Sequence, residues 1–505
     1  MVFISLTAIL GKRIRSVDEH DSILDSKIFN TAPSERGKLY EYKSLQQDQD
    51  TRILDDRPEQ DLLPPASLLY DGFGYFMDIF RCRKDVRDLT LERRDLELDV
   101  DVFSKLMTNF HDDEYTMKKG GIFTLNKIMS LGDHKLMSAG IDSSDAHMDG
   151  HCNGPHGAVS CIVKFKNELV DTHSIPLVEL TSCVARSHAR AMNHHRELYM
   201  GWRVPCLGIT IVGKPDISRS SYESNIVYVL LGPYVTFYAI IYLPRLRVVS
   251  LTPALSCISS AGEGDDRTAL YAAFSGALDL LRRIDEDATR FLSVPPKIEH
   301  RDRKFPYISE LPKHNAPGEV HFRIFVPYPA KEDYCLLYVA KTLDGKDIMV
   351  KFTRQYSIEL HAFCAERGHA PAIHGFKQIP GGWSVVAMDL ILPPEHPSQS
   401  PKLTRLFDKW VNDLQTLMQD FHDKGLVHGD LREPNILCNG EKVMLIDFDW
   451  GGKVGEACYP HARLCSELID GRDSTDRWIM KGDDERVLQN TLEGLKMVAS
   501  TSRTT

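Results

Sequence analysis

Residues 428–435 read His-Gly-Asp-Leu-Arg-Glu-Pro-Asn, and residues 445–449 read Leu-Ile-Asp-Phe-Asp. The first run follows a segment in which Leu406, Trp410, Leu414, Leu417, Met418 and Phe421 recur at helical spacing. A long amphipathic helix over residues 403–421 is therefore predicted to feed into it. The second run reads as a short apolar strand that ends in acid. Asp430, Asn435 and Asp447 thus stand five and twelve residues apart. The chain has to fold so that a carboxylate, an amide and a second carboxylate all follow one helix.

The chain has 505 residues, which predicts two or three domains. A hydrophobic fraction of 42% with 26% charged residues is that of a globular protein. The net charge of −10 excludes a general attraction to nucleic acid or anionic membrane, and no clear nucleic-acid site stands out. The eleven cysteines, from Cys82 to Cys465, form no CxxC pair. Neither a zinc ribbon nor a disulfide framework is indicated, and an intracellular, reducing compartment is expected. Residues 2–10 are apolar, but their charges follow rather than precede them, so they read as a strand or tail rather than a secretory signal. Residues 226–243 carry no charge, yet Gly232-Pro233 and the β-branched and aromatic content read as strand, turn, strand. No membrane span is expected.

The expected class is α+β. Residues 1–60 read as a polar, partly disordered arm, and residues 61–292 as a separate α/β domain. That domain is predicted to hold strands over residues 161–166, 207–213, 227–231, 235–243 and 246–251. A helix carrying Leu270, Phe274, Ala277, Leu281 and Ile284 is predicted to close it. Residues 293–319 hold Pro295, Pro296, Pro306, Pro312 and Pro317 beside a basic cluster at 300–304, and read as a solvated linker. Residues 320–490 are predicted to form a small β-rich lobe followed by a helical lobe, with residues 491–505 as a tail.

Phosphoryl transfer from ATP needs a carboxylate to take the acceptor's proton, and an amide and a carboxylate to hold Mg²⁺ on the phosphates. Asp430 fits the first role. Asn435 and Asp447 fit the second, because Mg²⁺ prefers oxygen ligands. This order of residues resembles the catalytic loop and metal-binding motif of the protein-kinase-like superfamily. The resemblance implies that Lys351, at the end of the apolar run 348–352, is the phosphate-binding lysine. Glu359, with Glu366 as second candidate, would hold that lysine. Residues 385–390, Met388 among them, resemble the hinge whose backbone hydrogen-bonds adenine. Arg432 stands where many kinases place a lysine that touches the transferred phosphate, and His428 reads as structural.

The departures narrow the resemblance. Residues 322–342 contain no glycine and hence no GxGxxG loop. Gly429 replaces the arginine that binds a phosphorylated activation loop. Asp449 replaces the usual glycine after Asp-Phe. Only 58 residues follow Asp447. The HGD and DFD runs resemble the aminoglycoside and choline phosphotransferases. The fuller string, Gly381-Gly382-Trp383 through residues 446–452, Gly455 and Tyr459-Pro460, resembles the fungal-type protein-kinase-like proteins. That resemblance implies ATP and Mg²⁺ as cofactors. It also implies a protein Ser/Thr hydroxyl as acceptor, with a small-molecule acceptor or a nucleotide-binding pseudokinase as alternatives. Oligomeric state is not legible.

Upstream, Asp149-Gly150-His151 followed by residues 162–168 resembles PD-(D/E)XK nuclease-like folds, in which an Asp, a Glu and a Lys surround a divalent metal. Asp149 and Lys166 fit, but Lys164 occupies the glutamate's position and Glu168 is displaced by two residues. An inactive scaffold is expected. His147, Asp149, His151, Cys152 and His156 match no standard zinc spacing and read as a polar loop.

Overall fold

The computed structural model describes residues 36–47, 53, 63–81, 91–109, 111, 113–138, 148–166, 175–213, 233–243, 246–258, 265–296, 303–328, 336–460, 464–469, 472 and 476–501. The chain divides into two compact units, Met1–Tyr307 and Ile308–Thr505.

The first unit is built on a sheet of β1 (Gly150–Asn153), β2 (Val159–Lys166), β3 (Pro205–Val212), β4 (Tyr234–Tyr242) and β5 (Leu246–Ser250), hydrogen-bonded in that order, with β6 (Leu255–Ser256) also on β4. Among the described strands of this sheet, only β2 and β3 run parallel. A parallel pair needs a crossover, and helix α5 (Pro176–His194) supplies it. The remaining described helices are α1 (Leu39–Gln47), α2 (Asp71–Phe80), α3 (Leu91–Thr108), α4 (Glu114–Ser130) and the 29-residue α6 (Asp265–Ser293), besides two short turns. The core is aromatic: Phe237 on β4 lies 5.9 Å from Phe76 of α2 and 5.2 Å from Phe274 of α6, ring centre to ring centre.

Three sequence readings change here. Residues 39–47 of the supposed arm are helical, and Ile53 is buried. The proline-rich stretch is not all solvated linker. Arg303 is 1% exposed, and its guanidinium donates to the Tyr242 carbonyl. Arg203 in turn donates to the carbonyls of Arg303 and Phe305, so backbone acceptors make burial of these charges tolerable. Residues 151–156 are not a polar loop, because His151 and Cys152 lie in β1 and His156 is fully buried. The charge-free run places β4 where its second strand was expected, while residues 226–231 lie outside the described ones, as do residues 1–35. Among the described residues, no helix is long and apolar enough to cross a membrane.

The second unit opens with a six-stranded antiparallel sheet in the order β11-β12-β10-β9-β8-β7. These are β7 (Glu310–Pro312), β8 (Glu319–Pro327), β9 (Leu336–Thr342), β10 (Asp347–Thr353), β11 (Ile373–Ile379) and β12 (Trp383–Asp389). The proline-rich stretch therefore contributes β7 to this sheet. Its two edge strands meet where Lys313 bridges Gly375. A Cβ on Gly375 would come within 2.8–3.0 Å of Val320, Leu311 and the Pro312 carbonyl, so the closure requires glycine. Helix α7 (Ile358–Glu366) connects β10 to β11.

Helices α8 (Leu403–Asp423) and α9 (Lys481–Thr501) pack together in the helical part. Leu406, Trp410, Leu414, Leu417 and Phe421 of α8 are buried as their spacing predicts, each such side chain contributing about 1.5–3 kcal/mol. Gly425, with φ of 75°, ends α8. The chain then passes through β13 (Leu426–Val427), which pairs with β16 (Gly452–Lys453). Between them lies the hairpin of β14 (Ile436–Asn439) and β15 (Lys442–Leu445).

Candidate active site

The 428–435 loop is held from several directions. The buried Asp484 carboxylate, on the first turn of α9, accepts the backbone N–H groups of His428 at 2.8 Å and Gly429 at 2.7 Å. It also lies 3.2 Å from His422 Nε2. The Tyr459 hydroxyl donates to the Gly429 carbonyl at 2.7 Å, and the Thr491 hydroxyl to the Leu431 carbonyl at 3.1 Å. Gly429 has φ of 83°, and a Cβ there would approach Ile479 to 2.8 Å. Glycine is required at this position by both backbone and space. His428 is fully buried, its ring centre 5.3 Å from that of Phe448, and burial keeps its pKa below the ordinary value. A buried neutral ring fits the structural role read from sequence.

Asp430 is 6% exposed, and both of its oxygens are occupied. Arg432 donates to them through Nε at 2.5 Å and Nη2 at 2.9 Å, a two-pronged contact that matches guanidinium to carboxylate geometry. Arg432 also meets Glu467 at 3.3 Å. Asn435 donates through Nδ2 to the Asp430 carbonyl at 3.0 Å, and the Ile446 N–H reaches the Asn435 carbonyl at 3.0 Å. These two bonds tie the loop to the segment carrying Asp447.

Asp447 has φ of 64°, a conformation uncommon for a residue with a side chain. Its carboxylate contacts the Lys351 ammonium, 96 residues away in sequence. Asp449 meets the same ammonium at 2.6 Å. Burial opposes the charge on Lys351, but Asp447 and Asp449 prevail and hold its pKa above the ordinary value. The protein packed around Asp447 opposes its ionisation too, although its side chain is 42% exposed, and Lys351 holds it below the usual range. Burial dominates at Asp449 and lifts it to about 6, against the pull of Lys351. Lys351 itself sits on β10 between Leu337 of β9 and Val386 of β12.

Lys351, Asp447 and the 430–435 loop are therefore brought together. Glu359 is not. It stands 62% exposed, 3.9 Å from Lys453, and Glu366 is exposed at the end of α7. Met388 pairs with Met349 and Ile373 in the sheet, and the next N–H, of Asp389, is taken by the Ala372 carbonyl. Asp484 escaped sequence reasoning because nothing local marks one acid in an acidic first turn. Asp449 stood out in sequence only as a departure from the usual glycine, and its place beside Lys351 depends on the left-handed turn at Asp447.

In the first unit, Asp149 Oδ2 accepts from the Phe165 N–H at 2.8 Å. Lys118 and Lys164 lie 3.0 and 3.6 Å from this carboxylate. Glu179 of α5 meets Lys164 at 3.0 Å and Lys166 at 3.2 Å. Three ammonium groups thus answer two carboxylates. The second acid comes from α5, which the sequence reading did not consider, while Glu168 lies outside the described residues.

A family model described as the RIO domain matches residues 383–457. That stretch holds β12, α8, the 428–435 loop and Asp447. RIO domains are an atypical protein kinase family, and the match supports a protein-kinase-like phosphotransferase. It is a RIO match rather than one to the fungal-type group, and it does not reach the upstream unit. Among solved structures, the kinase PK-1 of Cydia pomonella granulovirus is 15% identical, with a TM-score of 0.30, over 34% of this chain and 70% of that one. Vaccinia related kinase 3 is 14% identical, with a TM-score of 0.28, over 41% and 72%. No curated protein matches the chain.

Proposed function

We propose that residues 308–505 form an ATP- and Mg²⁺-dependent phosphotransferase that acts on a protein Ser/Thr hydroxyl. The observation that carries this reading is the contact between Lys351 and Asp447, which joins a sheet lysine to an acid beside the 428–435 loop. A cation for phosphate oxygens and a carboxylate for a divalent ion thereby share one place.

The donor set fits the cofactors. Asn435 spends its amide N–H on the Asp430 carbonyl, which leaves its oxygen available. Asp447 is 42% exposed at its side chain, open enough to take a hard cation. Asn435 and Asp447 would hold Mg²⁺, which supplies charge neutralisation on the phosphates. Lys351 would bind the phosphate oxygens, and the backbone near Met388 the adenine. Asp430 takes the acceptor hydroxyl's proton. The hydroxyl oxygen bonds to the γ-phosphorus as the bond to the β–γ bridging oxygen breaks. Arg432 grips both Asp430 oxygens and sets a cation beside the base.

The test is γ-phosphate transfer by the full chain from ATP·Mg²⁺ to generic protein acceptors, small alcohols and amines, with autophosphorylation as an internal acceptor. Protein phosphorylation supports the reading. Turnover with small acceptors alone replaces it by a small-molecule phosphotransferase. Nucleotide binding without turnover replaces it by a pseudokinase.

A further inference from the structure

We propose that Asp449, and not a carboxylate of helix α7, is the residue that positions Lys351. The inference rests on the nucleotide-binding reading above and names the residue that prepares its cation.

Helix α7 is fixed in an orientation that keeps Glu359 away from Lys351. The Ser357 hydroxyl caps the helix by accepting the Leu360 N–H at 3.3 Å, and the Ser357 N–H donates to the Phe448 carbonyl at 3.0 Å. One turn in, the His361 ring stacks on Phe448 at 4.5 Å with an 11° interplanar angle. Both nitrogens of that ring are engaged, Nδ1 with the Tyr356 hydroxyl at 2.7 Å and Nε2 with the Pro371 carbonyl at 2.8 Å. Successive helical residues turn by about 100°, so residues two apart face nearly opposite ways. With His361 committed to Phe448, Glu359 faces solvent and Lys453. Bringing it to Lys351 would require α7 to rotate and break the stack, the cap and both histidine bonds.

Asp449 needs no such movement. It lies two residues beyond Asp447, on either side of the anchored Phe448, so both carboxylates reach one ammonium. Lys351 is 12% exposed at its side chain and has two anionic partners. It can give up Asp447 to phosphate and metal and remain held by Asp449. The lysine is then set by the same short segment that carries the metal carboxylate. A swing of α7, as an on–off device, has nothing to act upon.

The test uses the full chain in two measurements. The first is a cycle of thermal midpoints without nucleotide, combining Lys351→Met with Asp449→Asn, and Lys351→Met with Glu359→Gln. Non-additive shifts for the first pair and additive shifts for the second are expected. The second is steady-state kinetics. Asp449→Asn is expected to raise KM for ATP·Mg²⁺ roughly ten-fold with a smaller change in kcat. Asp449→Glu should restore part of the loss. Glu359→Gln should change neither constant. Additivity of Lys351 with Asp449, or coupling of Lys351 to Glu359, overturns the proposal, as does an unchanged KM in Asp449→Asn. A wild-type chain that shows the Lys351–Asp449 coupling but no turnover refutes the phosphotransferase reading while upholding the pairing.

Discussion

The Asp484 carboxylate holds the backbone N–H of Gly429 at 2.7 Å, so α9 fixes the loop that carries Asp430 from 55 residues away. The His428 N–H shares that carboxylate, and no water is needed to satisfy either donor. Because Asp484 is 1% exposed, its loss leaves two buried donors unpaired. Asp484→Ala is expected to destabilise the chain by about 2–5 kcal/mol. Urea unfolding of the full chain measures this, and Asp484→Asn, which keeps one acceptor, should lose less.

Asp430 contacts Arg432 and no part of the Lys351 cluster. Asp430→Ala should therefore lower phosphate transfer by about 10²–10⁴-fold while leaving nucleotide affinity near wild type. Paired measurement of turnover and of ATP binding by calorimetry checks the split.

Asp447 meets Lys351 directly and is proposed to hold the metal. Asp447→Asn should abolish the Mg²⁺-dependent part of ATP binding, and chelation of Mg²⁺ from the wild-type chain should produce the same loss. Calorimetric titration with and without chelator tests both.

His156 and His188 are fully buried in the first unit, with ring centres 6.0 Å apart. Burial pushes them down to about 4 and about 3. Unfolding frees each to bind a proton near its ordinary value of about 6.5. The unfolded state thus binds more protons as pH falls below that value, and stability drops as pH moves from there towards the folded values. Each ring contributes on the order of 3–5 kcal/mol across that window. Neither His156 nitrogen has a hydrogen-bond partner among the described residues. His156→Leu should therefore keep neutral-pH stability within about 1 kcal/mol and flatten the acid limb of a denaturation–pH profile.

Gly375 lets the two edge strands of the second sheet meet. Gly375→Val is expected to cost about 1–3 kcal/mol by forcing backbone apart. A lowered thermal midpoint, with Gly375→Ala falling between variant and wild type, is the outcome to look for.

The local pattern of this chain determined many of its elements and singled out the side chains of the candidate site. Helix α8 follows from the spacing of its apolar residues, and strands β2 to β5 and β10 from apolar, β-rich runs, signals that one segment carries by itself. The acids Asp430 and Asp447 and the amide Asn435 are legible for the same reason, being close in sequence to one another. The proline-rich stretch was misread because proline reports a missing backbone donor and not whether the chain is buried. Arg303 in the first unit and β7 in the second are therefore invisible to composition. The partner of Lys351 was decided by tertiary structure alone. Sequence offered Glu359 by likeness, but the stacking of His361 on Phe448 set the face of α7 and left the lysine to Asp449. Asp484 belongs to the same class. A carboxylate 54 residues from Asp430 acquires its role only when packing removes water from around it and leaves two N–H groups with no other acceptor.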